Sequence, residues 1–200
     1  LLNKVSVSIY NKYFILHDLS IVLGKINISR ENYENLVFAP RNITKITIPS
    51  YIKQISTCAF QFCSKLTIIK FPQNSSLNII CKYAFANSSI KEIIIPSSVM
   101  LIDDYSFFNC TNLEKVEINE HSELQIIGSH AFDGTSINSF VVPSEVIKIY
   151  EGAFYNCNKL KYFTINENSK LLLFDQTNIF NHCSMVNILY PHNLKNSLNF

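Results

Sequence analysis

Apolar residues recur along this chain at offsets of 0, 3 and 5, and each set ends at a proline or an asparagine. The sets are Leu66, Ile69, Phe71; Ile90, Ile93, Ile95; Leu113, Val116, Ile118; Ile137, Phe140, Val142; and Leu160, Phe163, Ile165. Alternation at the end of each set is the mark of a short strand with one buried face. Ile43, Ile46 and Ile48 make one more rung upstream. Pro49, Pro72, Pro96, Asn119, Pro143 and Asn166 close the strands, as expected where a ladder ends and the chain turns. Met185, Ile188 and Tyr190 fit only with one residue dropped, so the array is expected to fray there.

A second pattern lies between the strands. Phe60, Phe85, Phe107, Phe132, Phe154 and Phe180 are separated by 25, 22, 25, 22 and 26 residues. Three residues after each comes a small or thiol side chain: Cys63, Ser88, Cys110, Thr135, Cys157 and Cys183. Long and short units alternate, so "DYSFFNCTNLEKVEIN" (104–119) returns 47 residues later as "EGAFYNCNKLKYFTIN" (151–166). The long units carry an extra polar turn, "PQNSSL", "NEHSEL" and "NENSKL". A unit of this length, with one short strand, cannot bury its apolar side alone; stacked copies can. The expected fold is a β-rich repeat solenoid with one parallel strand per unit. Return segments such as "VIKIYEGAF" have no helix-length amphipathic run, so short strand or irregular turn is expected there.

"IPSSVMLIDDYSFFNCTNLEKVEIN" (95–119) and "VPSEVIKIYEGAFYNCNKLKYFTIN" (142–166) resemble units of the BspA-like leucine-rich repeats. The resemblance runs over residues 42–184 in six consecutive units. It implies a parallel concave sheet, with short strands or irregular turns on the convex side. It also implies a surface adhesin or antigen that binds a host or partner protein, with no catalytic residues. Residues 1–41 depart from the repeat as a degenerate entry or cap, in which "SRENYENL" predicts a short helix capped at Ser29. Residues 185–200 form the frayed end.

Composition narrows the function further. With 48% hydrophobic residues a core is affordable, while a net charge of +2 and the lack of a basic stripe argue against nucleic acid as partner. There are 23 Asn but only 4 Gly, so Asn is expected to fill left-handed turns. No apolar run is long enough for a membrane span. The opening "LLNKVSVSIY" has no initiator Met and no signal-peptide pattern, which points to a fragment.

Residues that suggest chemistry have simpler readings. Cys63, Cys110 and Cys157 fill one slot in alternate rungs, about 10 Å apart and beyond disulfide reach. Only Cys157 and Cys183 share it in neighbouring rungs. The thiols are expected to be buried and unpaired, and no zinc spacing exists. His182 beside Cys183 lacks an orienting third residue, and Asp103 with Asp104 is read as a solvated turn. No phosphate loop can be built from four scattered glycines. Sequons stand at Asn27, Asn42, Asn74, Asn87 and Asn109, but Asn87 and Asn109 share with Asn156 a turn slot two after the Phe, which favours a structural role. No catalytic residue, cofactor or metal is expected.

Function is therefore sought on the open side of the strands. The outward set includes Ile68, Lys70, Glu92, Ile94, Lys115, Glu117, Ser139, Val141, Tyr162 and Thr164. Apolar residues set among charges suit protein recognition. The expected protein is a monomeric, non-enzymatic interaction module at the cell surface or secreted. An intracellular, cytoplasmic scaffold of the same fold is the alternative.

Overall fold

A computed structural model describes residues 5–191 with residues 9, 19, 30, 167, 173 and 175 excepted. Three strands open the chain: β1 (Phe14–His17), β2 (Ile21–Gly24) and β3 (Asn35–Phe38). Two kinds of strand then alternate. The longer ones are β4 (Lys45–Thr47), β6 (Ile68–Lys70), β8 (Glu92–Ile95), β10 (Lys115–Ile118), β12 (Ser139–Val142), β14 (Tyr162–Ile165) and β15 (Asn187–Leu189). The two-residue return strands are β5 (Gln54–Ile55), β7 (Ile79–Ile80), β9 (Leu101–Ile102), β11 (Ile126–Ile127) and β13 (Lys148–Ile149). A single turn of helix, α1 (Gln176–Ile179), precedes β15. The single strand per unit expected from the pattern is thus joined by a second. The reason lies in pairs such as Ile79–Ile80 and Ile126–Ile127, which put one residue inward and extend the other to the next turn's backbone.

The return strands join β1, β2 and β3 in one eight-stranded sheet. It is antiparallel from β1 to β3 and parallel from there on. Its inward column is Leu36, Ile55, Ile80, Ile102, Ile127 and Ile149, all buried. The longer strands face them across the core, also parallel, with Ile46 opposite Ile69, Val116 opposite Ile93 and Phe140 opposite Phe163. Every residue of the predicted inward sets from Leu66 to Ile165 is buried or half-buried against this core. All six strand-closing residues accept an i+3 turn bond on their carbonyl, from Ile52, Ser75, Val99, Ser122, Val146 and Ser169.

No helix forms in the described part of "SRENYENL". Residues 31–34 are irregular and Asn35–Phe38 is strand β3. The ladder offers more than an isolated helical turn can. The Glu34 carbonyl accepts from Lys53 N and the Leu36 carbonyl from Ser56 N, both at 2.8 Å, and Leu36 is fully buried. Lys53 Nζ also reaches Glu34 Oε1 at 2.8 Å.

Between the sheets stand two columns of like residues. Phe60, Phe85, Phe107, Phe132 and Phe154 stack with centroids 5.0–5.4 Å apart. Beside them, each slot thiol donates to the carbonyl one unit earlier: Cys110 to Phe85 at 3.0 Å, Cys157 to Phe132 at 3.1 Å and Cys183 to Phe154 at 2.9 Å. Ser88 and Thr135 bridge the gaps, their hydroxyls 3.4 and 3.3 Å from Cys110 and Cys157. At the N-terminal end Arg41 closes the column. Its guanidinium donates to the carbonyls of Ala39, Ala59 and Cys58 and lies over the Phe38 ring.

The longer-strand ladder is interrupted, whereas the return ladder is not. Its hydrogen-bonded groups are β4 with β6, β8 with β10, and β12 with β14 and β15. The interruptions coincide with a shorter entry. Where the slot is Cys63, Cys110 or Cys157, a second turn bond follows, to Leu66, Leu113 and Leu160. The next residue then bonds back, as Thr67 N does to Thr44 O and Glu114 N to Lys91 O. With Ser88 or Thr135 the chain is one residue shorter before Ile90 and Ile137, and β8 and β12 do not pair backwards. β15, with Met185 placed opposite Leu160 by the register of the strands, has the short entry yet pairs with β14.

Candidate interaction surface

The outward residues of the longer strands fall into two columns, aligned by the strand register within each hydrogen-bonded group. One runs Lys45, Ile68, Glu92, Lys115, Ser139, Tyr162 and Asn187; the other Thr47, Lys70, Ile94, Glu117, Val141, Thr164 and Leu189. All ten residues singled out from sequence therefore lie on this face. Nine are exposed, and Thr164 is half-buried. Ile94 is 64% exposed, Val141 53%, Tyr162 51% and Ile68 48%, so their apolar area is open to solvent. In the second column Ile94, Val141 and Leu189 alternate with Lys70, Glu117 and Thr164. Apolar contacts are thus spaced about 10 Å apart, two rungs of a parallel sheet, with polar groups between them. Lys115 and Glu117 pair along one strand, and Lys159 reaches Glu114 at 3.7 Å across the array.

The long-unit turns add relief beside this face. Phe71, Pro72, Gln73 and Ser75 stand on one side of the short Pro96–Ser97 turn, with Asn119 and His121 on the other. They enclose a cleft of about 380 Å³ that reaches Ile94 and Ile95. The 25/22 alternation is the sequence signal for such clefts, because the short turns after Ile95 and Val142 each lie between two long ones.

The suspected chemical groups are not brought together. His182 lies exposed with its ring 5.0 Å from Tyr155, while Cys183 turns inward to the Phe154 carbonyl. Asp103 and Asp104 are half-buried rather than a solvated turn. Asp103 accepts from Lys82 N at 3.2 Å and Asp104 from Ser129 N at 2.9 Å, so the carboxylates tie turns of neighbouring units. Cys81 and Cys110 are pushed up to about 11, chiefly by burial, which makes them poor nucleophiles. Among the described residues no group of three or more His, Cys, Asp or Glu is placed to hold a metal.

Sequence reading missed a column of strained residues. Asn87, Asn109 and Asn156 have φ of 54–57°, as the turn slot required. Two residues before the Phe, however, Cys58, Tyr83, Tyr105 and His130 are also left-handed, a conformation that costs about 1–3 kcal/mol for such side chains. Aromatic stacking offsets part of this: Tyr83 on Tyr105 and Tyr105 on His130, each at 4.9 Å. In the next unit the position is Gly152, where a Cβ would stand 2.5 Å from the His130 ring. His130 Nδ1 in turn lies 2.9 Å from the buried Asp133 carboxylate. Asp133 titrates higher than an ordinary aspartate, because burial outweighs the opposing hydrogen bond to His130.

The stacked units identify the family. A model of the BspA-type leucine-rich repeat region matches residues 31–161 and 125–199, in six copies. The chain belongs to the BspA-type leucine-rich repeat family. Repeats of this family are typical of protein-interaction and surface-antigen proteins, which are in general non-enzymatic. Solved structures share the fold. A leucine-rich cell surface protein from Faecalibacterium prausnitzii superposes with a TM-score of 0.64 at 20% identity, over 94% of this chain and 42% of that one. A T. pallidum leucine-rich repeat protein gives 0.61 at 20% identity, over 82% and 87%. A leucine-rich repeat protein from Eubacterium ventriosum gives 0.59 at 18%, over 96% and 55%. The chain thus spans about two fifths of the F. prausnitzii protein. No curated protein matches it. Among the described residues no helix is long and apolar enough to cross a membrane.

Proposed function

We propose that this BspA-type repeat array is a non-enzymatic binding module of a cell-surface adhesin or antigen, and that it takes a protein partner on the longer-strand face. The observation that supports this most is that Ile68, Ile94, Val141 and Tyr162, all open to solvent, share the longer-strand face with Lys70, Glu92, Lys115, Glu117, Ser139 and Thr164. Spaced apolar contacts provide the desolvated centres of an interface, and the charges between them set specificity and register. The surface location is supported by the family and by its likeness to a cell surface protein of the same fold.

An intracellular scaffold is the second reading. It is favoured by the use of Cys63, Cys110 and Cys157 as hydrogen-bonded core thiols, an arrangement suited to a reducing compartment.

The test is capture of surface-labelled cell proteins on the immobilised chain, with wild type compared against Tyr162→Ala combined with Ile94→Ser. Exposed positions change stability by about 0.5 kcal/mol or less, so the melting curve should stay in place while capture falls. Capture that survives both changes would move the site to the clefts beside the long-unit turns.

A further inference from the structure

Cys157 and Cys183 fill the same slot in successive turns. Each closes the same turn, with Cys157 N bonded to Phe154 O and Cys183 N to Phe180 O. The two turns are joined by Asn156 N to Asn181 O at 3.0 Å, and the two thiols make equivalent bonds one unit apart, Cys157 to the Phe132 carbonyl and Cys183 to the Phe154 carbonyl. One rung of a parallel solenoid is about 4.8 Å, inside the 4.4–6.8 Å Cα separation that a disulfide spans. Every other thiol in the slot has a hydroxyl residue, Ser88 or Thr135, as its next neighbour up the array. Cys157 is buried, whereas Cys183 is half-buried and so the more accessible of the two.

We propose that Cys157 and Cys183 form a redox-active dithiol, which a small-molecule disulfide oxidises to a clasp between the last two turns. The Cys183 thiolate attacks one sulfur of the reagent, giving a mixed disulfide and releasing one thiol. Cys157 then loses its proton and attacks Cys183 Sγ, forming the protein disulfide and releasing the second thiol. Two protein thiols are oxidised and one reagent disulfide is reduced to two thiols. Its contact with Cys157 holds the Cys183 thiol below its ordinary range, which suits Cys183 to the first attack, while the same contact and burial push Cys157 up.

The test treats the whole chain with oxidised glutathione, blocks remaining thiols in denaturant with iodoacetamide, and maps the digest by mass spectrometry. The expected result is a fall from six free thiols to four, with one cross-linked peptide pair containing Cys157 and Cys183. The unfolding midpoint should rise on oxidation and return on reduction. Cys157→Ser and Cys183→Ser should each abolish the cross-link, whereas Cys63→Ser should leave it. Serine already occupies this slot at Ser88, so the variants keep the fold; a melting curve verifies it. Six thiols remaining free, a stable glutathione adduct on Cys183 alone, or a different pairing would each overturn the proposal.

Discussion

Ser106 is the residue at which this array departs most plainly from its own rule. The position before each core phenylalanine is Ala59, Ala84, Ala131 and Ala153 in the other units, all buried. Ser106 is fully buried too, and its hydroxyl has no hydrogen-bond partner among the described residues. A buried hydroxyl left unsatisfied costs about 1–3 kcal/mol. Ser106→Ala should therefore raise stability by about 1 kcal/mol, lifting the melting temperature by about 2–4 °C for a chain of this size. A lower melting temperature would mean that the hydroxyl has a partner in solution. The slot thiols make the opposite case, since each polar atom finds a carbonyl one turn away.

At the scale of the strand and turn, the phenylalanine column holds the two sheets together. Phe132 stacks on Phe107 and Phe154 and tilts against Phe140 from the longer-strand side. Truncation to alanine leaves a cavity between rigid ladders, so Phe132→Ala should cost about 3–5 kcal/mol in denaturant unfolding. A cost near that of exposed Tyr162→Ala would show that the column does not carry the core. This column and the inward strand sets were legible because like residues recur at fixed offsets, and only stacking places them together. The return strands were less legible. Two residues such as Ile126–Ile127 are too short to give a period, and their pairing depends on neighbours about 23 residues away. The misread helix at Ser29 has the same cause: local capping chemistry was outweighed by a ladder that β5 supplies later in the chain.

Across the whole molecule, outward residues could be named from alternation alone, and all ten fall on one face. The relief around them was not legible in the same way. The cleft between Phe71 and His121 arises from three successive turns, and the left-handed tyrosines are chosen by stacking partners one unit away. A resemblance read from six units gave the fold, and the family match over residues 31–161 and 125–199 agrees with it. What the repeat does not encode is a partner, because strand-face residues are free to vary once the inward positions are satisfied.

The interrupted ladder makes the pair of units, not the single unit, the quantum in which such an array can lengthen or shorten. Recombination that removes residues 108–154 joins Phe107 to Tyr155 and takes out 47 residues, so long turns still alternate with short ones. Losing residues 86–107, a single 22-residue unit, sets the turns "PQNSSL" and "NEHSEL" in adjacent rungs, with no short turn to accommodate them. The first deletion should yield a shorter chain that still melts cooperatively, followed by circular dichroism, and the second a weakened one. Equal melting of the two would make every unit interchangeable. If the pair is the heritable step, relatives of this protein should differ in length by double turns, and the spacing of their exposed apolar contacts should survive every change in number.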